Sequence, residues 1–236
     1  MVSDRMAAVI ALLAGDGADG ARTSRAAAAA MGVDGIGAGV GTGPEGTALA
    51  WGRGQTSAAL EEVEFTLGEG PGADCVAAGL PVLVADLPGA VSRWPVFTPA
   101  AVDLGVRAVF ALPLRIGAIS VGSLLAYRHT VGPLREGQLV DAVALADTLT
   151  ALLLRRATDE ASRSIVEGGK PERGRAVPET HRLEVHQATG MISVQLGVSL
   201  AEALVRLRAH AFAADRSMNE VAADVVARRL RLGDPV

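Results

Sequence analysis

The stretch that decides the organisation of this chain runs from Pro178 to Leu232 and reads PETHRLEVHQATGMISVQLGVSLAEALVRLRAHAFAADRSMNEVAADVVARRLRL. Apolar residues recur within it at the three- and four-residue spacing of amphipathic helices. The first predicted helix begins near Pro178, which suits a first helical turn, and ends at Gly197.

Two further helices are predicted by their first residues. Ser199 precedes Glu202 by three positions, and Ser217 precedes Glu220 in the same way. This is the spacing of a capping box, in which serine and glutamate side chains bind each other's backbone N–H groups. The stretch therefore predicts a small bundle of three capped helices.

The three-helix stretch resembles the ANTAR domain, an RNA-binding output module of bacterial antitermination regulators. The residues that match are Gln187, Ala188, Gly190, Gly197, Val198, Glu202, Ala203, Leu207, Arg208, Ala211, Val221, Ala222 and Val225. One position departs from the family, which usually has lysine where this chain has Thr189. We expect residue 189 to project where that lysine meets phosphate.

The resemblance implies an RNA partner, in the form of paired stem-loops in nascent transcripts. RNA loops expose unstacked bases and phosphates that arginine and amide side chains can bind. The residues expected to contact RNA are His186, Gln187, Thr189, Gly190, Arg206, Arg208, His210, Arg228 and Arg229. Without the resemblance, the arginines would be interpreted as solvated residues on exposed helix faces.

Composition indicates a two-domain protein with a core of small aliphatic residues. The chain has 236 residues, of which 50% are hydrophobic but only 3% aromatic. No apolar run is expected to reach the roughly 20 residues of a membrane span, and the N-terminus lacks the layout of a signal peptide. We therefore expect a cytoplasmic protein with no membrane partner. The single cysteine, Cys75, excludes an internal disulfide.

Charge does not by itself indicate a nucleic-acid partner. The formal net charge is −4, and residues 179–236 contain seven arginines against seven acidic residues. A local positive face on a neutral module is still compatible with the clustered arginines. We expect no DNA partner.

The N-terminal part predicts an α+β fold with an antiparallel sheet. Two short strands joined by a Gly-Pro turn are predicted over residues 35–52, and a second hairpin over 107–127. Helices are predicted before, between and after these hairpins. Gly41, Gly43 and Gly46 fit the dinucleotide-binding spacing, but a returning strand follows them where that motif requires a helix.

This order of elements resembles a GAF domain, a small-molecule-sensing module, in the arrangement of actinobacterial GAF-ANTAR proteins. The residues that carry the likeness are FTLGEGP at 65–71, PVLVADL at 81–87, RWP at 93–95 and the hairpin at 106–128. The resemblance implies a possible small-molecule ligand but does not indicate its chemistry, or any cofactor, because one fold hosts many ligands.

A long helix over residues 134–166 is predicted to join the two modules. Its apolar residues at three- and four-residue spacing predict a homodimer through Leu139, Val143, Ala146, Leu149 and Leu153. The alternative is a helix that packs only on its own sheet. Glycines and prolines then predict a flexible hinge at 167–178, so the expected domains are 1–154 and 178–236.

Two functions from different classes fit these observations. The first is a cytoplasmic antitermination regulator in which the GAF-like domain controls RNA binding. The second is a dimeric small-molecule sensor whose helical tail binds a protein partner. We expect no enzyme, because the four histidines lack metal-binding spacing and neither a nucleophile elbow nor a P-loop is present.

Overall fold

The computed structural model describes residues 1–15, 20–41, 48–52, 54–166, 179–214 and 216–233. The predicted Gly-Pro turn between the first two strands and the predicted hinge at 167–178 lie outside them. The described helices are α1 (Asp4–Ala14), α2 (Gly20–Met31), α3 (Gln55–Leu67), α4 (Pro71–Ala78), α5 (Phe97–Asp103), α6 (Glu136–Val166), α7 (Glu179–Leu196), α8 (Leu200–Ala213) and α9 (Met218–Val226). The strands are β1 (Gly35–Val40), β2 (Ala48–Trp51), β3 (Val82–Val84), β4 (Ala108–Ile116) and β5 (Ile119–Arg128).

The five strands form one antiparallel sheet in the order β2-β1-β5-β4-β3. Both predicted hairpins are confirmed, as β1 with β2 and as β4 with β5. The chain returns after residues 42–47 as strand β2, so the strand interpretation of the glycine-rich segment is confirmed. The fold class is α+β, as the sequence predicts.

Successive strand residues point to opposite faces of the sheet, and each face has its own core. On one face Ala108, Phe110 and Leu112 pack with α1, α2 and α6. On the other, Val109 and Ala111 pack with α3, α4 and α5. The sheet and the helices α1 to α6 are called the N-terminal domain below.

Helix α6 lies with its apolar side against the sheet. Ala146 and Leu149 are buried in the core on that face, and Leu139 and Leu153 are half-buried against it. Of the five predicted dimerisation residues, only Val143 is exposed, at 44%. The prediction that these residues form a dimer stripe is therefore wrong for Ala146 and Leu149, whose side chains are buried within the chain.

The same helix contains an apolar segment as long as a membrane span, contrary to the expectation that the chain has none. Residues Glu136–Arg156 reach a mean hydropathy of 1.4 over an 18-residue window, which satisfies the length and composition of a membrane span. Forty-four per cent of that window is buried inside the protein. A core helix that packs on a sheet meets the same criteria.

Helices α7, α8 and α9 form the C-terminal bundle. Its core contains Val185, Ala188 and Ile192 of α7, together with apolar residues of α8 and α9. Gly197 adopts a left-handed φ of 65° directly after α7, a conformation that glycine permits without steric cost.

The two predicted capping boxes differ. Ser217 and Glu220 form a complete box at the start of α9. Ser199 accepts a hydrogen bond from the Glu202 N–H, but the Glu202 carboxylate pairs with Arg206 one turn later. The predicted capping box of Ser199 and Glu202 is thus only half confirmed, because Arg206 binds the Glu202 carboxylate that would complete it.

Candidate functional site

An open groove of about 690 Å³ runs between α7 and the residues that follow α9. Three residues expected to bind RNA lie in it: Gln187 and Gly190 from α7, and Arg228. Arg231 lies in the same groove and was not among the predicted site residues. The signal for it was present, because Arg231 belongs to the arginine cluster near the end of the chain.

Gly190 gives the groove an open stretch of helix backbone. A methyl group added at this position would meet no atom within 4 Å. The packing of the bundle therefore does not require glycine here, although glycine lowers helix stability relative to alanine. Space above the backbone remains for a ligand that approaches α7 closely.

Arg228 is held in an unusual backbone conformation at the end of the groove. Its φ is 58°, and it is the single non-glycine residue with positive φ in the described part of the chain. The N–H groups of Arg228 and Arg229 donate to the carbonyl oxygens of Val225 and Asp224, at 2.9 and 2.8 Å. These bonds satisfy carbonyls at the end of α9 and fix the backbone at Arg228, an exposed residue that lines the groove.

Arg229 lies next to the groove but is paired with an acid. Asp224 accepts hydrogen bonds from Arg216 and Arg229, at 2.7 and 2.8 Å. These bonds, first that of Arg216 and then that of Arg229, lower the pKa of the Asp224 carboxyl. The cluster of two arginines and one carboxylate therefore retains one net positive charge.

Arg206 and His210 on α8 are predicted to contact RNA but do not line the groove. Arg206 forms an exposed ion pair with Glu202 at 2.6 Å. His210 is half-buried in the last turn, whereas His186 on α7 is exposed. The structure thus does not bring all the predicted site residues onto one surface.

Thr189 is placed in the interior, contrary to the prediction that it projects towards RNA. Its side chain is 2% exposed, and its hydroxyl donates to the Val185 carbonyl oxygen at 2.7 Å. Residues 185, 188, 189 and 192 share the buried face of α7. The prediction is wrong because helical spacing turns position 189 into the bundle.

Arg208 points away from the groove and contacts the N-terminal domain. Its Nε donates to the carbonyl oxygen of Phe65 at 3.0 Å, and its guanidinium carbon lies 5.9 Å from the centre of the Phe65 ring. Partial burial lowers the pKa of the guanidinium. Sequence reasoning missed Phe65, since no local pattern indicates a partner 143 positions away.

The same contact closes one side of a larger cavity in the N-terminal domain. The cavity has a volume of about 870 Å³ and lies beside α3, α4 and β5. Three acidic residues, Glu61, Glu64 and Asp74, line it, together with the cations Arg115 and Arg208. A small polar molecule with charged groups would find complementary side chains there.

Glu64 is the most perturbed acid in this cavity. Burial, assisted by the negative charges of Glu61 and Asp74, raises its pKa to about 8. The Gly72 N–H donates to the Glu64 carboxyl at 2.7 Å and opposes the shift. The carboxyl is therefore mostly protonated near pH 7, which makes it a hydrogen-bond donor as well as an acceptor.

Comparison with known proteins identifies both halves of the chain. Residues 179–226 match the model of the ANTAR domain. The N-terminal domain has the GAF fold: the GAF domain of a phosphoenolpyruvate-protein phosphotransferase from Acinetobacter superposes with a TM-score of 0.50 at 11% identity, covering 66% of this chain and 93% of that one. The corresponding GAF domain from Coxiella burnetii gives 0.50 at 15% identity, covering 67% and 99%. No curated protein matches the chain. The architecture is therefore a GAF fold followed by an ANTAR domain.

Proposed function

We propose that this chain is an RNA-binding regulator of transcription antitermination, in which the ANTAR bundle binds paired stem-loops under the control of the GAF-fold domain. The observation that carries the proposal is the groove of α7 and α9. Amide, backbone and guanidinium groups of Gln187, Gly190, Arg228 and Arg231 line it. The two α7 residues lie within the segment that matches the ANTAR domain, and the two arginines follow that segment within five residues. These groups suit loop bases and phosphates.

Binding to an RNA with two stem-loops, measured by fluorescence anisotropy at several salt concentrations, tests the proposal. A scrambled-loop RNA of the same length serves as the competitor. Arg228→Ala and Arg231→Ala should each lower the slope of log affinity against log salt by roughly 0.7, since each removes one phosphate contact. Arg5→Ala, an exposed arginine on α1, is the matched control and should leave the slope unchanged. Equal affinity for both RNAs would contradict loop recognition.

We also propose that the protein is a cytoplasmic homodimer and acts as a regulator rather than an enzyme. Paired stem-loops present two similar targets, which two copies of one small bundle would match. The outer side of α6 supports a pairing surface, because Val143 and Leu154 are 44% and 45% exposed there. The proposed interface thus lies on the side of the helix opposite to the core residues.

A second candidate function is recognition of a protein partner by the C-terminal bundle. The observation in its favour is the apolar surface of α8, where Val205 and Phe212 are 58% and 66% exposed at a spacing of two turns. Phe212→Ser separates the two functions. It should leave RNA affinity intact if the groove binds RNA, and should abolish partner binding if the tail is a protein-docking helix.

A further inference from the structure

The C-terminal bundle is attached to the N-terminal domain through the last turn of α3. The carbonyl oxygen of Phe65, which accepts the hydrogen bond from Arg208, is among the last four carbonyls of that helix. Such carbonyls lack partners within the helix and carry its partial negative charge. A guanidinium is therefore well suited to bind there.

The Phe65 side chain belongs to the core of the bundle rather than to that of its own domain. It is 3% exposed and clusters with Leu204 and Leu207 of α8. Neither apolar core of the N-terminal domain includes it. A second polar contact extends the interface, since the Asn219 amide donates to the Glu62 carboxylate at 3.3 Å.

This attachment changes which cations face outward. Arg228 and Arg231 lie at the open groove, whereas Arg208 is bound by the opposite domain. Arg208 is one of the residues that the ANTAR resemblance implies for RNA contact. Arg208 is therefore a further cationic position, on a different face of the bundle from the groove, and it is covered while the two domains are attached.

We propose that the contact of Arg208 with Phe65 is an autoinhibitory latch, which withholds Arg208 from RNA until the bundle detaches from α3. The proposal rests on the proposed RNA-binding function. Both latch residues also line the cavity of the N-terminal domain, beside Glu61 and Glu64. A small molecule in that cavity would therefore contact the latch directly, and binding energy that favours the detached state shifts the population towards it.

Distance measurement on the full chain tests the attachment without RNA. Spin labels are placed on cysteines introduced at the exposed positions Asp103 and Ala213. Cys75 is fully buried, and burial raises the pKa of its thiol to about 12, so it does not compete for label. One narrow distance distribution is expected for the parent chain. Phe65→Ala should broaden it.

Leu67→Ala is the matched control for this change. Leu67 lies two residues further along α3 but packs against the core of the N-terminal domain. Leu67→Ala truncates an apolar side chain on the same helix turn without touching the core of the bundle, so the distance distribution should stay narrow. An unchanged distribution in both Phe65→Ala and Arg208→Ala would overturn the latch.

Affinity for the two-stem-loop RNA then tests the inhibition. Phe65→Ala should raise affinity about tenfold, because a larger fraction of the chain is competent to bind. It should also steepen the salt slope by about 0.7, through the added phosphate contact of Arg208. The double variant Phe65→Ala, Arg208→Ala should lose the added slope.

The outcomes separate the two proposals. A broadened distance distribution with unchanged RNA affinity would overturn autoinhibition while leaving RNA binding in place. If no variant binds RNA, including the detached ones, the proposed function fails, and autoinhibition of RNA binding fails with it. The distance data would then still establish the attachment through Phe65.

Discussion

The hydroxyl of Thr189 donates a hydrogen bond to the carbonyl oxygen of Val185, 2.7 Å away, on the buried side of α7. Because residue 189 is buried, a lysine there is expected to destabilise the bundle rather than to bind phosphate. Thr189→Lys should destabilise the bundle by roughly 2–4 kcal/mol, because an ammonium group would replace a small, satisfied hydroxyl in the core. Thermal unfolding of the full chain measures it.

Thr189→Val is the control for that substitution, since it keeps the shape and removes only the hydroxyl. We expect a change of less than about 1 kcal/mol, because the lost hydrogen bond is to the residue's own helix. If Thr189→Lys instead kept the melting temperature and increased RNA affinity, position 189 would have to face solvent.

Gly190→Ala should separate folding from binding. Alanine at this open helical position should stabilise the bundle by about 0.5–1 kcal/mol in urea unfolding. The same methyl group narrows the groove, so affinity for RNA should fall. Gly197→Ala, directly after the end of α7, is a contrasting control and should destabilise the bundle, because the φ of 65° there disfavours any side chain. A stabilised Gly190→Ala variant with full RNA affinity would show that RNA does not approach the α7 backbone.

Replacement of Arg228 by glycine should likewise relieve backbone strain while weakening RNA binding. Arg228→Gly should stabilise the chain by about 1 kcal/mol relative to Arg228→Ala, since glycine adopts the left-handed conformation without steric cost. Both variants should lower the salt slope of RNA binding equally, because both remove the charge. Chemical unfolding and anisotropy titrations measure the two effects. Equal stability of the two variants would contradict a strained backbone at this position.

The raised pKa of Glu64 predicts a stability that declines with pH. The folded state binds the proton more tightly than the unfolded state, in which the pKa of the Glu64 carboxyl is near its ordinary value of 4.5. The contribution of Glu64 is therefore most favourable below pH 4.5 and is lost progressively as the pH rises to about 8. Over that range we expect a loss on the order of a few kcal/mol.

Urea midpoints measured between pH 5 and pH 9 check this decline. Glu64→Gln should flatten it, because the amide keeps the acceptor for the Gly72 N–H but does not ionise. Asp103→Asn, at an exposed position, is the control and should leave the profile as it is. A Glu64→Gln profile that matches the parent would place the titration elsewhere.

Acidic substitutions on the buried and exposed sides of helix α6 should have different effects. Leu149→Glu should destabilise the N-terminal domain by more than about 3 kcal/mol, because the side chain is fully buried against the sheet. The pair Val143→Glu, Leu154→Glu lies on the exposed side and should preserve the fold while converting the proposed dimer to monomers. Sedimentation velocity and thermal unfolding together report both results. A dimer that survives the exposed pair would exclude this side as the interface.

Local patterns predicted the elements of both halves well. The glycine-rich segment before β2 was interpretable because a returning strand, not a helix, follows it. The burial of Thr189 was also available from the sequence, since it is four residues after Val185 and three before Ile192. The resemblance to the ANTAR family predicts instead that residue 189 is exposed, and that prediction is wrong.

Other features depend on tertiary packing and had no local signal. An apolar stripe on a helix does not reveal whether a sheet or a second copy covers it, so the spacing that includes Leu149 predicts a dimer surface where the structure has a core. The partnership of Arg208 with Phe65 joins residues 143 positions apart. Only the folded arrangement brings such residues together.

The attachment of the bundle to α3 can be weak and still form. Because the two partners belong to one chain, their encounter is intramolecular and is governed by an effective concentration, which is commonly in the millimolar range for short connections. A small interface, such as that of Arg208 with Phe65 and of Asn219 with Glu62, can then be well populated even if the separated domains would hardly bind each other. Because the attachment is weak, a ligand of moderate affinity, or one RNA molecule, can detach the bundle from α3. Single substitutions at the interface can therefore change the fraction of the protein that is detached.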